Sequence, residues 1–251
     1  MNIRVALVTN IPSPYRLGLL AKLSEQPDIC MDIYFCAKRT PDRLWNVNLE
    51  SLPRCIVVPG RTFSIPFWRK RLYYHVNPQM ISFLRRNHYN AIIVGGYDSW
   101  TMQMIFLYAR VMRTPLILWC DSTLNEKRPR VALFIKRIFL PILVRQCSSF
   151  IAAGTRSKEY LIYYGANPDH VYIAPLTVDV DFFIDQVSAL RNVQPMIKGE
   201  IGIRAPLTIL YVGRLIPEKG VTYLLKAYHA LVLSGLKAAL IMVGEGPLEP
   251  E

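Results

Sequence analysis

Short apolar runs alternate with stretches whose apolar residues recur every three or four positions, almost from one end of the chain to the other. The runs at residues 4–9, 31–36, 55–58, 91–94, 116–119, 149–153 and 171–174 are apolar on both faces, the signature of strands in a sheet covered by helices. Between them, residues 14–23, 99–112, 130–147 and 155–164 carry the three-and-four periodicity of helices, with Pro141 predicting a kink in the third. An aromatic and basic segment, FWRKRLYYH at 67–75, leads into a further helix ending near Arg86. Such alternation predicts an α/β fold with a doubly wound parallel sheet.

The pattern lapses over residues 175–206, where mixed polarity predicts a linker with a short helix at 182–190. It then resumes. A strand at 207–211, a helix marked by Val221, Leu224, Leu225, Tyr228 and Leu231, and a strand at 239–243 make one right-handed βαβ unit. The reading is therefore a first domain at 1–174, a linker at 175–206 and a second domain at 207–251. Two strands and one helix cannot cover their own sheet, so the second domain is expected to be incomplete as written.

Charge changes this picture. The formal net charge is +12, but residues 1–174 hold 23 Lys and Arg against 10 Asp and Glu, whereas residues 175–251 hold 7 against 8. The first domain is thus expected to face something anionic: a membrane surface, a phosphorylated acceptor or nucleic acid. The basic residues are dispersed over many elements and carry no recognition motif, which places nucleic acid last. On the helix at 130–147, Arg130, Arg137 and Arg145 share roughly one face. It reads as a core helix with a basic outer side or, with residues 67–71, as an interfacial helix on anionic lipid.

The five cysteines form no Cys-x-x-Cys pair and read as free core thiols in a reducing cytosol. The amino terminus reads as a first strand rather than a signal peptide. The longest uncharged apolar stretch falls well short of the ~20 residues a spanning helix needs. The four histidines share no ligand spacing, so no metal is expected.

Candidate chemistry gathers where strands meet the helices that follow them. VGRLIPEKG, from Val212 to Gly220, puts Arg214 and Lys219 between a strand's carboxyl end and a helix's amino end, the edge at which open α/β sheets bind ligands and anions. It is neither a Walker loop nor a dinucleotide fingerprint. A second glycine turn, Gly244-Glu245-Gly246-Pro247, ends the next strand at the same edge. In the first domain, Arg16 follows the first strand, Asp98 the strand at 91–94, and Asp121 the strand at 116–119. Either aspartate could orient or deprotonate an acceptor hydroxyl, and either could equally cap a helix; Asp98, just before the helix at Ser99, suits capping better.

VGRLIPEKG, the helix after it and IMVGEGP together resemble the donor domain of retaining nucleotide-sugar-dependent glycosyltransferases of GT-B architecture, family 4. The segment AAGTRSKEYLIYYGANPDHVYIAPLTVDVDFF resembles that family's interdomain connection, with Gly165, Ala166, Val178, Asp179 and Phe182 at matching positions and Leu176-Thr177 in place of the usual Asn-Gly. The first loop, TNIPSPYR, has no Gly-Gly pair and matches instead a subset with a Pro-x-Pro-Tyr-Arg loop.

The resemblance implies a GT-B fold, a complete amino-terminal Rossmann-like domain followed by the first βαβ unit of a second, with a cleft between them. Gly213, Arg214 and Lys219 would hold the diphosphate of a nucleotide-diphospho-sugar, with Arg16 supplying by side chain what a glycine loop supplies by amides. Gly244 and Gly246 would form the donor-side glycine turn, and Asp121 or Asp98 would serve the acceptor. The nucleotide-sugar is then a substrate and no cofactor or metal is implied. The departing nucleotide's two negative charges would rest on fixed cations and a helix dipole. The acceptor would be a glycan or a lipid-linked oligosaccharide, at the inner face of the cell membrane. Members of that family continue beyond the position of Glu251 with a Glu-rich motif that contacts donor sugar and ribose. A truncated or split fragment without activity, completed by a second chain, is accordingly the alternative expectation.

Overall fold

The computed structural model describes residues 3–43, 45, 47–50, 52–67, 70–125 and 129–249. The chain divides into two compact units, Met1–Asp179 and Val180–Glu251.

In the first unit the chain runs β1 (Ile3–Thr9), α1 (Pro14–Ser24), β2 (Ile29–Phe35), β3 (Cys55–Val57), β4 (Arg61–Phe67), β5 (Lys70–Val76), α2 (Met80–Asn87), β6 (Ala91–Val94), α3 (Trp100–Met112), β7 (Leu116–Cys120), α4 (Arg130–Val144), β8 (Ser149–Ala152), α5 (Thr155–Tyr163) and β9 (Val171–Ile173). Seven strands form one parallel sheet in the order β3-β2-β1-β6-β7-β8-β9. The chain winds outward from β1 through β2 to β3, then returns to β6 on the other side of β1 and winds the opposite way. The reversal between β1 and β6 is a topological switch point, where loops at the carboxyl edge diverge and leave a crevice.

Why these runs become buried strands follows from period two. Ala6 and Val8 of β1, Ile92 and Val94 of β6, and Leu118 of β7 meet Met102, Ile105 and Phe106 of α3 on one face. Leu7, Met31, Ile33 and Phe35 meet Leu20 of α1 on the other. With apolar side chains on both faces, each strand needs cover on both, and the doubly wound connectivity supplies it.

Two polar clusters pin this sheet. Asp32 on β2 takes hydrogen bonds from Arg54 Nε (2.6 Å), Tyr89 Oη (2.6 Å) and Arg4 (3.1 Å). Burial works against its charge, but those bonds outweigh burial and hold the carboxyl below its ordinary pKa. Asn77, 1% exposed, donates through Nδ2 to the carbonyl oxygens of both Cys36 and Val58 at 2.8 Å. Its backbone N–H donates to Thr101 Oγ1 at 2.9 Å. One side chain thus fastens the segments leaving β2 and β3, and its backbone ties the end of β5 to α3.

In this unit three sequence expectations change. The segment 67–75 belongs to an antiparallel ribbon of β4 and β5, with Thr62 opposite His75 and Ile65 opposite Leu72; Trp68 and Arg69 lie outside the described residues. Pro66 is tolerated there because a two-stranded ribbon has only edge strands. The cap of α3 is Ser99, whose side chain accepts from the Met102 N–H at 3.3 Å, and not Asp98. Finally, α4 is not a core helix with a basic outer face. Only Leu140 and Val144 are buried, while Val131, Phe134, Ile135, Ile138, Phe139 and Ile142 are 48–70% exposed. It passes through Pro141 as one element, that proline lying in its last turn.

The second unit holds α6 (Val180–Leu190), α7 (Gln194–Glu200), β10 (Leu207–Val212), α8 (Val221–Leu233) and β11 (Ala238–Val243). The segment expected to be mostly linker is largely helical. β10 and β11 pair in parallel, Leu207 with Ala238 through Val212 with Val243. Leu215 and Val221 are its buried apolar side chains among the described residues. Of the described residues, no helix is long and apolar enough to cross a membrane, and no group of His, Cys, Asp or Glu could hold a metal ion.

Candidate functional site

Each unit carries part of the predicted chemistry. In the second, β10 and β11 end side by side and their loops continue the pairing. Gly213 N–H donates to the Val243 carbonyl (2.9 Å), Leu215 N–H to that of Glu245 (2.9 Å), and Leu248 N–H to that of Leu215 (3.2 Å). This close approach requires glycine. A Cβ on Gly244, which stands at φ +153°, would collide with the Gly213 carbonyl, and one on Gly246 would collide with that of Leu215. Tyr211 Oη donates to the Arg214 carbonyl at 2.9 Å and steadies the loop from below.

From there the chain makes a single 3₁₀ turn, Pro217–Lys219, and Gly220 at φ +70° turns it into α8. No side chain caps α8. Its first N–H groups therefore point out of the helix end without an internal acceptor, which favours an anion there. Arg214 is half-buried and Lys219 exposed. The structure thus brings Gly213, Arg214, Lys219, Gly244 and Gly246 to one sheet edge beside an uncapped helix amino end.

In the first unit the switch point opens into a cavity of about 330 Å³ lined by Arg16, Asp98 and Asp121 together. Arg16 comes from the first turn of α1, where Pro14 starts the helix and Arg16 N–H returns to the Ser13 carbonyl at 2.9 Å. Its guanidinium lies 5.0 Å over the Trp119 ring and 4.0 Å from an Asp121 oxygen. The Arg16 side chain is mostly buried and that of Asp121 is 66% exposed, so the pair is a buried cation beside a reachable carboxylate. Stacking on an indole fixes the guanidinium plane and leaves its edge for ligands.

Several wall residues were not singled out from the sequence. Arg43 stacks on Trp45 at 5.0 Å, and Tyr15 meets Trp45 edge-on at 5.9 Å. His75, from the β4–β5 ribbon, is 2% exposed and shares a hydrogen bond of 3.0 Å with Thr62. Burial lowers its pKa, partly opposed by the charge of Asp98. Cys120 is buried, which pushes its thiol up to about 11 and keeps it unreactive at neutral pH. Three buried polar atoms in the wall, Asn10 Oδ1, Arg16 Nε and Trp119 Nε1, have no hydrogen-bond partner among the described residues. Two donors and one acceptor, set among aromatic rings, match a hydroxylated ligand better than an apolar one. Only the period-two alternation of 61–67 could have signalled the ribbon that brings in His75.

Asp179 lies against α1, where a Cβ on Gly18 would stand 3.5 Å from that of Asp179. The Val178-Asp179 segment therefore returns to the helix that carries Arg16.

Fold and site together define a class: an α/β, Rossmann-like protein with a glycosyltransferase-like GT-B fold. No family model matches the chain. Among curated proteins, the alpha-D-kanosaminyltransferase of Streptomyces kanamyceticus is 24% identical over 153 residues, 58% of this chain and 39% of that protein. Anabaena Alr3699/HepE, solved in complex with UDP and glucose, superposes with a TM-score of 0.64 at 15% identity, over 98% of this chain and 62% of that one. The UDP-GlcNAc 2-epimerase of Neisseria meningitidis, solved bound to UDP-GlcNAc, gives 0.53 at 12% identity over 96% and 72%. The chain thus spans about two-fifths of the curated relative and under two-thirds of the first of these solved structures.

Proposed function

We propose that the chain is part of a retaining glycosyltransferase that passes a sugar from a nucleotide-diphospho-sugar to an acceptor hydroxyl. The carrying observation is the pair of interlocked glycine turns that set Arg214 and Lys219 at the uncapped amino end of α8. Cleaving the donor leaves two negative charges on the nucleoside diphosphate. Two cations and a helix amino end supply matching charge without a metal. That the kanosaminyltransferase is a sugar transferase, and that solved neighbours hold UDP or UDP-sugars, supports this donor class.

The acceptor belongs in the cavity of the first unit. Asp121, exposed and beside Arg16, accepts the hydroxyl proton or orients the hydroxyl; Asp98 lines the same cavity. Arg16, foreseen as a diphosphate ligand, acts in this reading as a fixed cation over Trp119 on the acceptor's side of the reaction. The products enter a surface glycan or lipid-linked oligosaccharide, made at the inner face of the membrane. The exposed apolar residues of α4 and its arginines suit a peripheral association with an anionic surface.

Retention is tested on the product. With an α-linked donor, the new linkage is expected to be α, read from the anomeric proton coupling, and turnover is expected to survive a chelator. A β-linked product would overturn the retaining assignment.

A further inference from the structure

Both α3 and α4 end at the amino edge of the seven-stranded sheet, opposite the switch point. Arg110 in the last turn of α3, Arg113 just after it and Arg145 just after α4 line one cavity there, of about 550 Å³. Among the described residues no aspartate or glutamate lines it. None of the three guanidiniums makes a hydrogen bond or ion pair with a described residue. Arg130 and Arg137 of α4 lie outside this lining.

Basic residues at a helix carboxyl end ordinarily serve the helix, through its last carbonyls or its dipole. Here the carbonyls are already taken. Those of Ala109 and Arg110 accept from the backbone N–H groups of Thr114 (2.9 Å) and Arg113 (3.4 Å). Those of Ile142, Leu143 and Val144 accept from Gln146 Nε2 (3.1 Å), Gln146 N–H (3.0 Å) and Cys147 N–H (3.0 Å). Nor do the dipoles use up the charge. Each helix end amounts to about half a negative charge, so three guanidiniums leave an excess of about +2. Arg113 stands at φ +52°, a left-handed conformation that glycine adopts freely and a side chain strains. A guanidinium thus sits where glycine would end the helix more easily. The rim is fixed: Ser148 N–H donates to the Leu116 carbonyl at 2.8 Å, and His170 Nδ1 donates to that of Ser148 at 3.0 Å.

We propose that this cavity binds a small phosphorylated molecule by its phosphoryl group, at a site separate from the donor turns and from the switch point. Guanidinium forks match phosphoryl oxygens two at a time, and an excess of about +2 suits the charge of a phosphomonoester. The space is larger than one phosphate needs. Pro115 and Ile142, beside Thr114 and Ser148, give it a wall of mixed polarity for an organic body. A concave site of this kind favours a soluble ligand over the plane of a bilayer. Because the cavity lies at the amino edge, an occupant leaves the carboxyl edge open, and the proposal does not rest on the transferase reading.

Titration calorimetry of the full chain with glucose 6-phosphate and with inorganic phosphate, at low salt, tests this. Glucose 6-phosphate is expected to bind, and more tightly than inorganic phosphate. Arg110→Gln and Arg145→Gln are each expected to lower its affinity roughly tenfold. Arg113→Gly is the sharpest variant, because it removes the charge and relieves the left-handed turn. The same loss of affinity is expected with Tm unchanged or higher, so unfolding cannot account for it. A double Arg214→Ala, Lys219→Ala variant is expected to bind glucose 6-phosphate as the wild-type chain does. No binding to the wild-type chain would overturn the proposal, as would binding that none of the three cavity variants weakens. Loss of binding in the double variant would move the phosphoryl group to the donor turns, and equal affinity for inorganic phosphate would remove the organic body. Arginine-dependent binding to phosphatidylglycerol vesicles, with none to glucose 6-phosphate, would replace the cavity by a membrane contact.

Discussion

Replacing Arg214 and Lys219 together by alanine is expected to lower the affinity of the chain for UDP or GDP on the order of 10²–10⁴-fold. Each side chain is assigned one charge-assisted hydrogen bond to the diphosphate. Such bonds contribute about 1.5–3 kcal/mol apiece, so losing both costs about 3–6 kcal/mol. The loss should fall on binding and leave folding intact. Lys219 is exposed, and the loop is held by backbone bonds from Gly213 to Val243 and from Leu215 to Glu245, which neither substitution touches. Titration calorimetry with UDP, paired with circular dichroism, checks both halves. Wild-type affinity in the double variant would mean that the diphosphate is held elsewhere.

Asn77→Ala is expected to destabilise the first unit by about 2–5 kcal/mol. The substitution leaves two buried carbonyls, those of Cys36 and Val58, without the donor they now share. An unsatisfied buried acceptor costs about 1–3 kcal/mol, and the cavity left by the amide adds to it. For a unit of this size that is a fall in Tm of roughly 5–15 °C. Calorimetric melting measures it, and a change below about 2 °C would mean that solvent reaches those carbonyls. The consequence extends to the site, because His75 precedes Asn77 by two residues and lines the cavity at the switch point.

Much of the fold was legible because its strands are apolar on both faces, a pattern that solvent-facing sheets do not show. Ala91–Val94 shows this directly, with Ile92 and Val94 buried on one face and Ile93 packed on the other. The ribbon of β4 and β5 was not legible in the same way. Phe63, Ile65 and Leu72 remain 40–50% exposed, so burial does not organise that segment and its alternation is weaker.

Site residues divide on the same physical line. Arg214 and Lys219 stood out because spacing, strand, helix and glycine turn are all local in sequence, and the glycines are explained by backbone contacts within the turns. Trp119 and His75 did not stand out. They reach the cavity through the packing of β7 and the ribbon, for which the sequence carries only the weak alternation of 61–67 and the strand end beside Asp121. Helix α4 shows the opposite failure. Its apolar residues follow a helical period, which normally signals a core, yet most of them face outward.

The central claim is that this chain grips a diphosphate, and comparing UDP, UMP and uridine in one titration series tests it most directly. Two fixed cations and a helix amino end predict that UDP binds at least tenfold more tightly than UMP, with uridine weaker still and the difference shrinking at high salt. Equal affinity for UDP and UMP would contradict the account.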